Sequence, residues 1–344
     1  MCTFAPLSRF EQWWVRGWDF PRLQLFFLSL LLLTAELLLL DLSFTKSRII
    51  IAAGLACTMY LVWWIIPYTR LSFKEVAQAI NPEPDNSLEI MVSNVLMDNQ
   101  KAHLLLKVVQ DNDPDILVTL ETNSWWEDQL RDLEQDYPYS IKCPLENRYG
   151  MHVYSKLELV DFKIRYLIER DIPSIRARVV LPSGRKVQLH FLHPSPPSPT
   201  EKETSKERDA ELITIAKEVS PDDEFSDMGA EDPDPVVVTG DLNDVAWSQT
   251  TRLFRKISGL LDPRVGRGMY NTFHAEHSLI RWPLDHLFHS HHFNLIRIKR
   301  LPYIGSDHFP ILVALELTNG EDNEGSGLEA SQDDEEMAED KLSE

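Results

Sequence analysis

The chain has 344 residues and a formal charge of −20, spread unevenly: residues 1–70 carry a net +2, residues 71–318 carry −12 and residues 319–344 carry −10. A segment at −12 is a poor general partner for polyanions, whose affinity comes largely from Lys and Arg neutralising phosphates. Three cysteines without a CxxC pair leave Cys143 alone in the globular part, which excludes an intradomain disulfide there and a thiolate zinc site.

Taken in chain order, residues 23–40 (LQLFFLSLLLLTAELLLL) and 49–66 (IIIAAGLACTMYLVWWII) are apolar runs of eighteen residues each, near the ~20 that cover a bilayer core. A second run so soon after the first, with no small-residue cleavage pattern between them, argues against a signal peptide. The pair reads as a two-helix transmembrane hairpin within an N-terminal segment 1–70. Trp13, Trp14 and Trp18 before it and Trp63 and Trp64 near its end suit headgroup depth. Glu36 lies four residues from the end of the first run and is expected to reach the interface. A hairpin places both flanks on one side of the membrane. Arg9, Arg16, Arg22, Arg70 and Lys74 flank it, against Lys46 and Arg48 in the turn, so the positive-inside bias predicts an inner-membrane, multi-pass chain with a cytoplasmic domain.

Residues 71–87 read as a linker, and residues 88–318 as one domain. LEIMVSNV is a strand, followed by a helix with Leu104, Leu105, Val108 and Val109 on one face. DNDPD stops that helix and ILVTLE is a buried strand. GMHVYSK, LELVDFKIRYL and a hairpin turned at Ser183–Gly184 follow. A helix is expected over 204–219, an acidic surface loop over 221–235, and further strands in VVVTGDLN, PLDHLFHS, FNLIRIKRL and FPILVALEL. Several strands are too closely spaced for helical crossovers, so the fold class is α/β with mixed sheets rather than a doubly wound parallel sheet. Residues 319–344, with almost nothing to bury, read as a disordered acidic tail.

The ends of the apolar strands collect chemistry. Asn94 closes the first strand, Glu121 the second and His193 a third. Asp241 and Asn243 follow VVVT, Asp285 sits in PLDHLF, and Asp307 and His308 precede the last strand. Any one of them alone is as well explained as a turn or capping residue. Together they are what a crevice needs for metal and phosphate chemistry. His152, His289, His291 and His292 show no ligand spacing and carry no assigned role; His190 reads as a packed or surface side chain.

In order and number these motifs (SNV, LVTLE, LHP, GDLN, PLDHLF, SDHFP) resemble the endonuclease/exonuclease/phosphatase superfamily over about residues 88–317. That group includes pancreatic-type deoxyribonucleases, apurinic endonucleases, neutral sphingomyelinases and inositol polyphosphate phosphatases. The chain looks most like a bacterial subgroup whose catalytic domain follows an N-terminal hydrophobic hairpin. The resemblance implies a four-layer sandwich of two mixed β-sheets flanked by helices. It implies Mg2+, with Mn2+ as the alternative ion, held by Glu121 with Asn94 and Asp307 nearby. It further implies that Asp241 handles the attacking water, Asn243 and His308 meet the phosphate, Asp285 fixes the His308 tautomer, and His193 stands by the phosphate or leaving group. No tyrosine matches the one that apurinic endonucleases place near the phosphate, Tyr154 being nearest. Arg148, Arg176, Arg178 and Arg185 are scattered rather than gathered into a duplex-tracking surface.

The function expected from these residues is membrane-anchored, metal-dependent hydrolysis of a phosphodiester or phosphomonoester by activated water. The substrate is a lipid headgroup, a nucleic acid or a small phosphate; membrane lipid is met through the hairpin, and no obligate protein partner is implied. The competing readings are a nuclease and a non-catalytic membrane scaffold.

Overall fold

The computed structural model describes residues 3–220 and 234–343. The N-terminal segment contains the short α1 (Trp13–Arg16), then α2 (Arg22–Leu39) and α3 (Thr45–Ile65). The two longer helices pack antiparallel and are long and apolar enough to cross a membrane, with only 11% and 17% of their apolar windows buried inside the molecule. A core helix of a soluble domain would be mostly covered. Glu36 does not reach outward as expected. Its Oε2 lies where a Cβ on Gly54 would be met at 2.6 Å, so the glycine makes room for the carboxylate against α3.

The remaining elements follow in chain order: β1 (Ser87–Asn94), α4 (Ala102–Asn112), β2 (Ile116–Leu120), α5 (Ser124–Gln129), β3 (Tyr139–Cys143), β4 (Met151–Ser155), β5 (Leu159–Arg165), β6 (Ser174–Val180), β7 (Lys186–Leu192), α6 (Lys206–Glu218), β8 (Val236–Asp241), α7 (Gln249–Ser258), β9 (Asp285–His289), β10 (Phe293–Arg300), β11 (Ile311–Leu317) and α8 (Gln332–Ser343). They form two mixed sheets, β10-β11-β1-β2-β4-β3 and β5-β6-β7-β8-β9. Each has a single parallel pair at its centre, β1 with β2 and β7 with β8.

Alternation explains the layers. The inner faces, with Ile90, Val92, Val118 and Val153 on one sheet and Ala177, Leu189, Val237 and Leu287 on the other, make the central core. The opposite face of the first sheet takes Leu105 and Val109 of α4 and Trp126 of α5. The opposite face of the second takes Leu212 and Ile215 of α6 and Leu253 and Phe254 of α7. α7 is bounded by Ser248, whose side chain accepts from Thr251 N, and by Gly259 in the left-handed region. The expected four-layer, mixed-sheet fold is the one observed.

Two expectations at the domain edges are corrected. Residues 71–87 are no free linker. Val76 is fully buried, Ala77 and Gln78 hydrogen-bond along β10 at Leu295, and the Glu75–Arg255 ion pair is buried. The acidic tail is structured as well. Ala338 of α8 is buried against α6 and α7, Lys256 pairs with Asp334 at 2.6 Å, and Lys341 pairs with Glu11 at 3.2 Å and Asp209 at 2.6 Å. Composition misled because the helix uses charge pairs and the contacts of Ala338 and Met337 instead of a large apolar face. The acidic loop expected over 221–235 lies, for residues 221–233, outside the described residues.

Before α8, Asn323 is 1% exposed. Its amide donates to the carbonyls of His291 and Phe293 and to Asn294, and its Oδ1 accepts from Ala77 N at 2.7 Å. Asn323→Ala leaves these groups without partners and is expected to cost about 1–3 kcal/mol. Thermal unfolding of the full chain in detergent checks this; an unchanged midpoint would show that the tail adds nothing to the fold.

Candidate active site

The topology gathers the polar strand ends at one edge of the sandwich. In the parallel pairs Asn94 lies beside Leu120 and Leu192 beside Gly240, so Asn94, Glu121, His193 and Asp241 emerge together. Antiparallel β9 starts there, with Asp285 opposite Asp241, and the residues before β11 bring in Asp307 and His308. Local backbone serves the same end. Glu121 and Asn243 have φ of 60° and 50°, and Gly240 allows β8 to approach β7 where a Cβ would meet Leu192 O at 1.9 Å.

All eight residues expected from the sequence meet here. Glu121, His193, Asp241, Asn243, Asp307 and His308 line a cavity of about 300 Å³, with Asn94 and Asp285 behind them. Asp241 is the hub. Its Oδ2 accepts from Asn94 Nδ2 at 3.1 Å and lies 3.5 Å from His308 Nε2 and 3.8 Å from His193 Nε2; its Oδ1 accepts from Asn243 N at 3.0 Å. His308 Nδ1 is 2.7 Å from Asp285 Oδ2. Asn94 Nδ2 also reaches Glu121 Oε1 at 2.9 Å, while its Oδ1 accepts from Leu96 N. Asn243 Nδ2 donates to Pro194 O at 3.0 Å.

Charge states follow from this packing. Burial opposes a charge on His308, but Asp285 and Asp241 outweigh it and push the imidazole up to about 10, so it is a cation at neutral pH. His193 goes the other way: burial lowers it and Asp241 only partly restores it, so it is neutral. The two histidines of the site therefore differ in charge. Burial raises Asp241 above the usual carboxylate range. Burial also pushes Glu121 up to about 7, against the Asn94 hydrogen bond and with help from Asp307 and Asp241.

Two groupings can hold a cation. Asp241, Asp285 and His308 place one ligand atom each within 4.8 Å of one another. Both His308 nitrogens face carboxylates there, which is the arrangement of a charged hydrogen-bonded triad. Glu121 fits a hard cation better. It is a nearly buried carboxylate bonded by Asn94 Nδ2 at 2.9 Å and Met97 N at 3.4 Å, with Asp307 close by and, among the described residues, no cationic side chain bonded to it, so a divalent ion would supply the missing charge.

Several lining residues escaped the sequence reading. Tyr149 lies 5.3 Å from the His193 ring, tilted by 46°, and Phe273 lies 4.9 Å from the His308 ring. Phe20 lines the cavity from the N-terminal segment. Ser306 bonds Asn94 O and receives His308 N, and Arg208 donates to Asn243 O at 2.9 Å. Only Ser306, two residues before His308, carries a local turn signal. Tyr154 points to the outer helical layer and takes no part. A smaller cavity of about 130 Å³ between α7 and α8 contains none of the eight.

This fold and site define a hydrolase class, and the comparisons agree. Residues 91–308 match the Endonuclease/Exonuclease/phosphatase family, and the chain belongs to it. No curated protein matches at a significant level. Among solved structures it is similar to the human Nocturnin catalytic domain with bound sulfate (17% identity, covering 69% of this chain and 96% of that one, TM-score 0.54). It is similar to humanized D. rerio TDP2 (15%, 67% and 99%, 0.53) and to a Bacteroides thetaiotaomicron family protein (19%, 70% and 98%, 0.52). These likenesses show the shared fold.

Proposed function

We propose that the chain is a membrane-anchored phosphoesterase that uses Mg2+ or Mn2+ and hydrolyses a phosphodiester or phosphomonoester by in-line attack of water. The observation that carries this reading is the ring around Asp241. A buried carboxylate of raised proton affinity stands between a cationic and a neutral imidazole, with Asp285 fixing the cation from behind.

Glu121 and Asp307, with Asn94 between Glu121 and Asp241, would hold the cation. When bound, it neutralises charge on phosphate oxygens and favours ionisation of water. The chain's own residues do the rest. Asp241 orients a water and takes its proton; its raised proton affinity suits a base working near neutral pH. The water oxygen bonds phosphorus as the ester P–O bond breaks. His308, protonated on Nε2, donates to a phosphate oxygen as charge gathers there. Neutral His193, 3.8 Å from Asp241 on the other side from His308, would hydrogen-bond the leaving oxygen, which takes its proton from solvent water. Arg208 holds the backbone of Asn243, and Asn243 N holds Asp241.

A nuclease is the second reading, favoured by the likeness to D. rerio TDP2 described as complexed with single strand DNA product. The lining weighs against it. Among the described residues Arg148 is the one arginine of the cavity wall; it pairs with Asp98 at 3.0 Å, and Glu201 lies on the same wall. For the membrane anchor the support is the pair of apolar helices. The charge count behind a cytoplasmic domain is thinner than the sequence suggested, since Arg16 and Arg22 are buried and Arg22 pairs with Asp19.

The test is Mg2+-dependent hydrolysis of bis-p-nitrophenyl phosphate by the full chain in detergent, because removing residues 1–75 would expose the groups they cover. Asp285→Asn is the informative variant. It keeps the shape but removes the charge that holds His308 protonated, and a comparable change in a triad costs roughly 10⁴ in turnover. The loss should be smaller at low pH, where His308 is protonated without help. Equal activity of variant and wild type would remove His308 from the chemistry.

A further inference from the structure

The mouth of the crevice and the start of α2 are one structure. Phe20 lines the cavity, and Pro21 and Arg22 open α2 directly after it. An aromatic chain runs inward from there: Phe20 to Trp282 at 5.5 Å, Trp282 to Phe273 at 6.1 Å, and Phe273 to His308 at 4.9 Å. The connection is braced by Trp247 Nε1 donating to Asp19 O at 2.8 Å, four residues from Asn243. The catalytic crevice therefore sits rigidly against the hairpin instead of swinging on a tether.

The segment between Phe273 and Trp282 leaves the body of the domain and runs beside α2. Gln24 Nε2, in the first turn of α2, donates to Leu279 O at 2.9 Å. At that tip Leu279 is 85% exposed and Ile280 47%. On α2 the next exposed apolar residues are Phe27 and Leu28, about 5 Å further along at 1.5 Å per residue. Arg22 stacks over Trp64 at 4.2 Å, which puts the end of α3 at the same level. Exposed Trp63, Leu71 and Phe73 follow there, and Phe4 packs on Tyr60 with Phe10 and Trp14 exposed nearby in sequence. Leu279 and Ile280 are adjacent and lie beside the start of α2 with its exposed Phe27 and Leu28, so they extend an apolar surface instead of standing singly. Beside the entry point of an apolar helix they have a solvent.

We propose that residues 274–281 form a membrane-inserting lip, with Leu279 and Ile280 in the bilayer interface beside α2. The catalytic crevice then opens at headgroup depth and takes the phosphate ester of a membrane lipid. The inference rests on the membrane-anchored phosphoesterase reading and narrows its substrate. On the same loop His277 is exposed, and Arg281 folds back to donate to His274 O and Ala275 O, so polar groups flank the two apolar ones, the pattern of an interfacial element. The lipid's tails stay in the leaflet; only its phosphate has to rise past Phe20 to reach Asp241.

Two readouts test it, both on the full chain in vesicles of phosphatidylethanolamine, phosphatidylglycerol and phosphatidic acid. In the first, Leu279→Cys in a chain with the native cysteines replaced carries an environment-sensitive fluorophore. Quenching by doxyl-labelled lipid with protection from iodide is expected; quenching by iodide alone would overturn the lip. In the second, the double variant Leu279→Asp, Ile280→Asp is assayed on bis-p-nitrophenyl phosphate and on two vesicle lipids, phosphatidylglycerol and phosphatidic acid. Soluble turnover should be unchanged, while lipid turnover falls about tenfold or more because the phosphate is no longer presented in register. Hydrolysis of the soluble ester with no hydrolysis of either lipid, or an equal fall on both, would overturn the substrate claim. If wild type cleaves neither ester, the phosphoesterase reading fails, and the fluorophore still decides the lip.

Discussion

Asp241→Asn is expected to abolish all but a residue of turnover, a fall of about 10²- to 10⁴-fold, the range for removing a general base. The substitution is nearly isosteric. Asn243 N, which donates to Asp241 Oδ1 at 3.0 Å, keeps an acceptor in the amide oxygen, and Asn94 Nδ2, which loses its 3.1 Å bond to Oδ2, still has Glu121 Oε1 at 2.9 Å, so the fold should hold. What disappears is the negative charge between His308 and His193 and the site that takes the water's proton. His308 should also become easier to deprotonate, since Asp241 is one of the two carboxylates that hold it charged. Steady-state kinetics with far-UV circular dichroism as the folding control checks the pair of outcomes. A well-folded variant with kcat within a few-fold of wild type would move the base elsewhere.

The second large effect belongs to Glu121→Gln. Loss of metal-stimulated turnover by about 100-fold or more is expected, because the amide cannot balance a divalent charge as the carboxylate does. The same variant makes a stability prediction of opposite sign. Burial raises Glu121 from the ordinary 4.5 to about 7, so between those values the folded chain keeps a proton that the unfolded chain releases. Metal-free wild type therefore loses stability as pH rises through that window, and the deficit persists above it. Glutamine has no charge to bury. In EDTA the variant should unfold at a higher temperature than wild type at about pH 8, with the difference vanishing at about pH 4. With Mg2+ present the order at about pH 8 should reverse, since only wild type gains from binding. An unchanged order with and without Mg2+ would show that Glu121 is not where the ion goes.

The residues that made the site legible in the sequence share one property. Each stands at or beside one end of an apolar strand, and a carboxylate or amide after ILVTL or VVVTG has no packing reason to be there. Strand periodicity likewise revealed β1, β2 and β4 to β11. Other parts depend on partners distant in sequence. β3, with two exposed and two buried positions in five residues, has no clear alternation. Phe20 shares the cavity wall with Asp241 across more than two hundred residues, and nothing near Phe20 marks it. α8 is stabilised by Lys256 and Asp209, seventy-eight and one hundred and thirty-two residues from their partners, so its acidic composition reads as disorder until those partners are known. The charge states were equally hidden: His193 and His308 look alike in sequence, and only Asp285 behind one of them separates cation from neutral base.

The account stands most directly on where the bond breaks. Bis-p-nitrophenyl phosphate should be hydrolysed by the full chain in H₂¹⁸O with and without Mg2+, and the label followed by mass spectrometry. Water attack at phosphorus predicts metal-dependent release, with one ¹⁸O in the phosphate product and none in p-nitrophenol. Release that ignores Mg2+, label in the nitrophenol, or no release at all would contradict it.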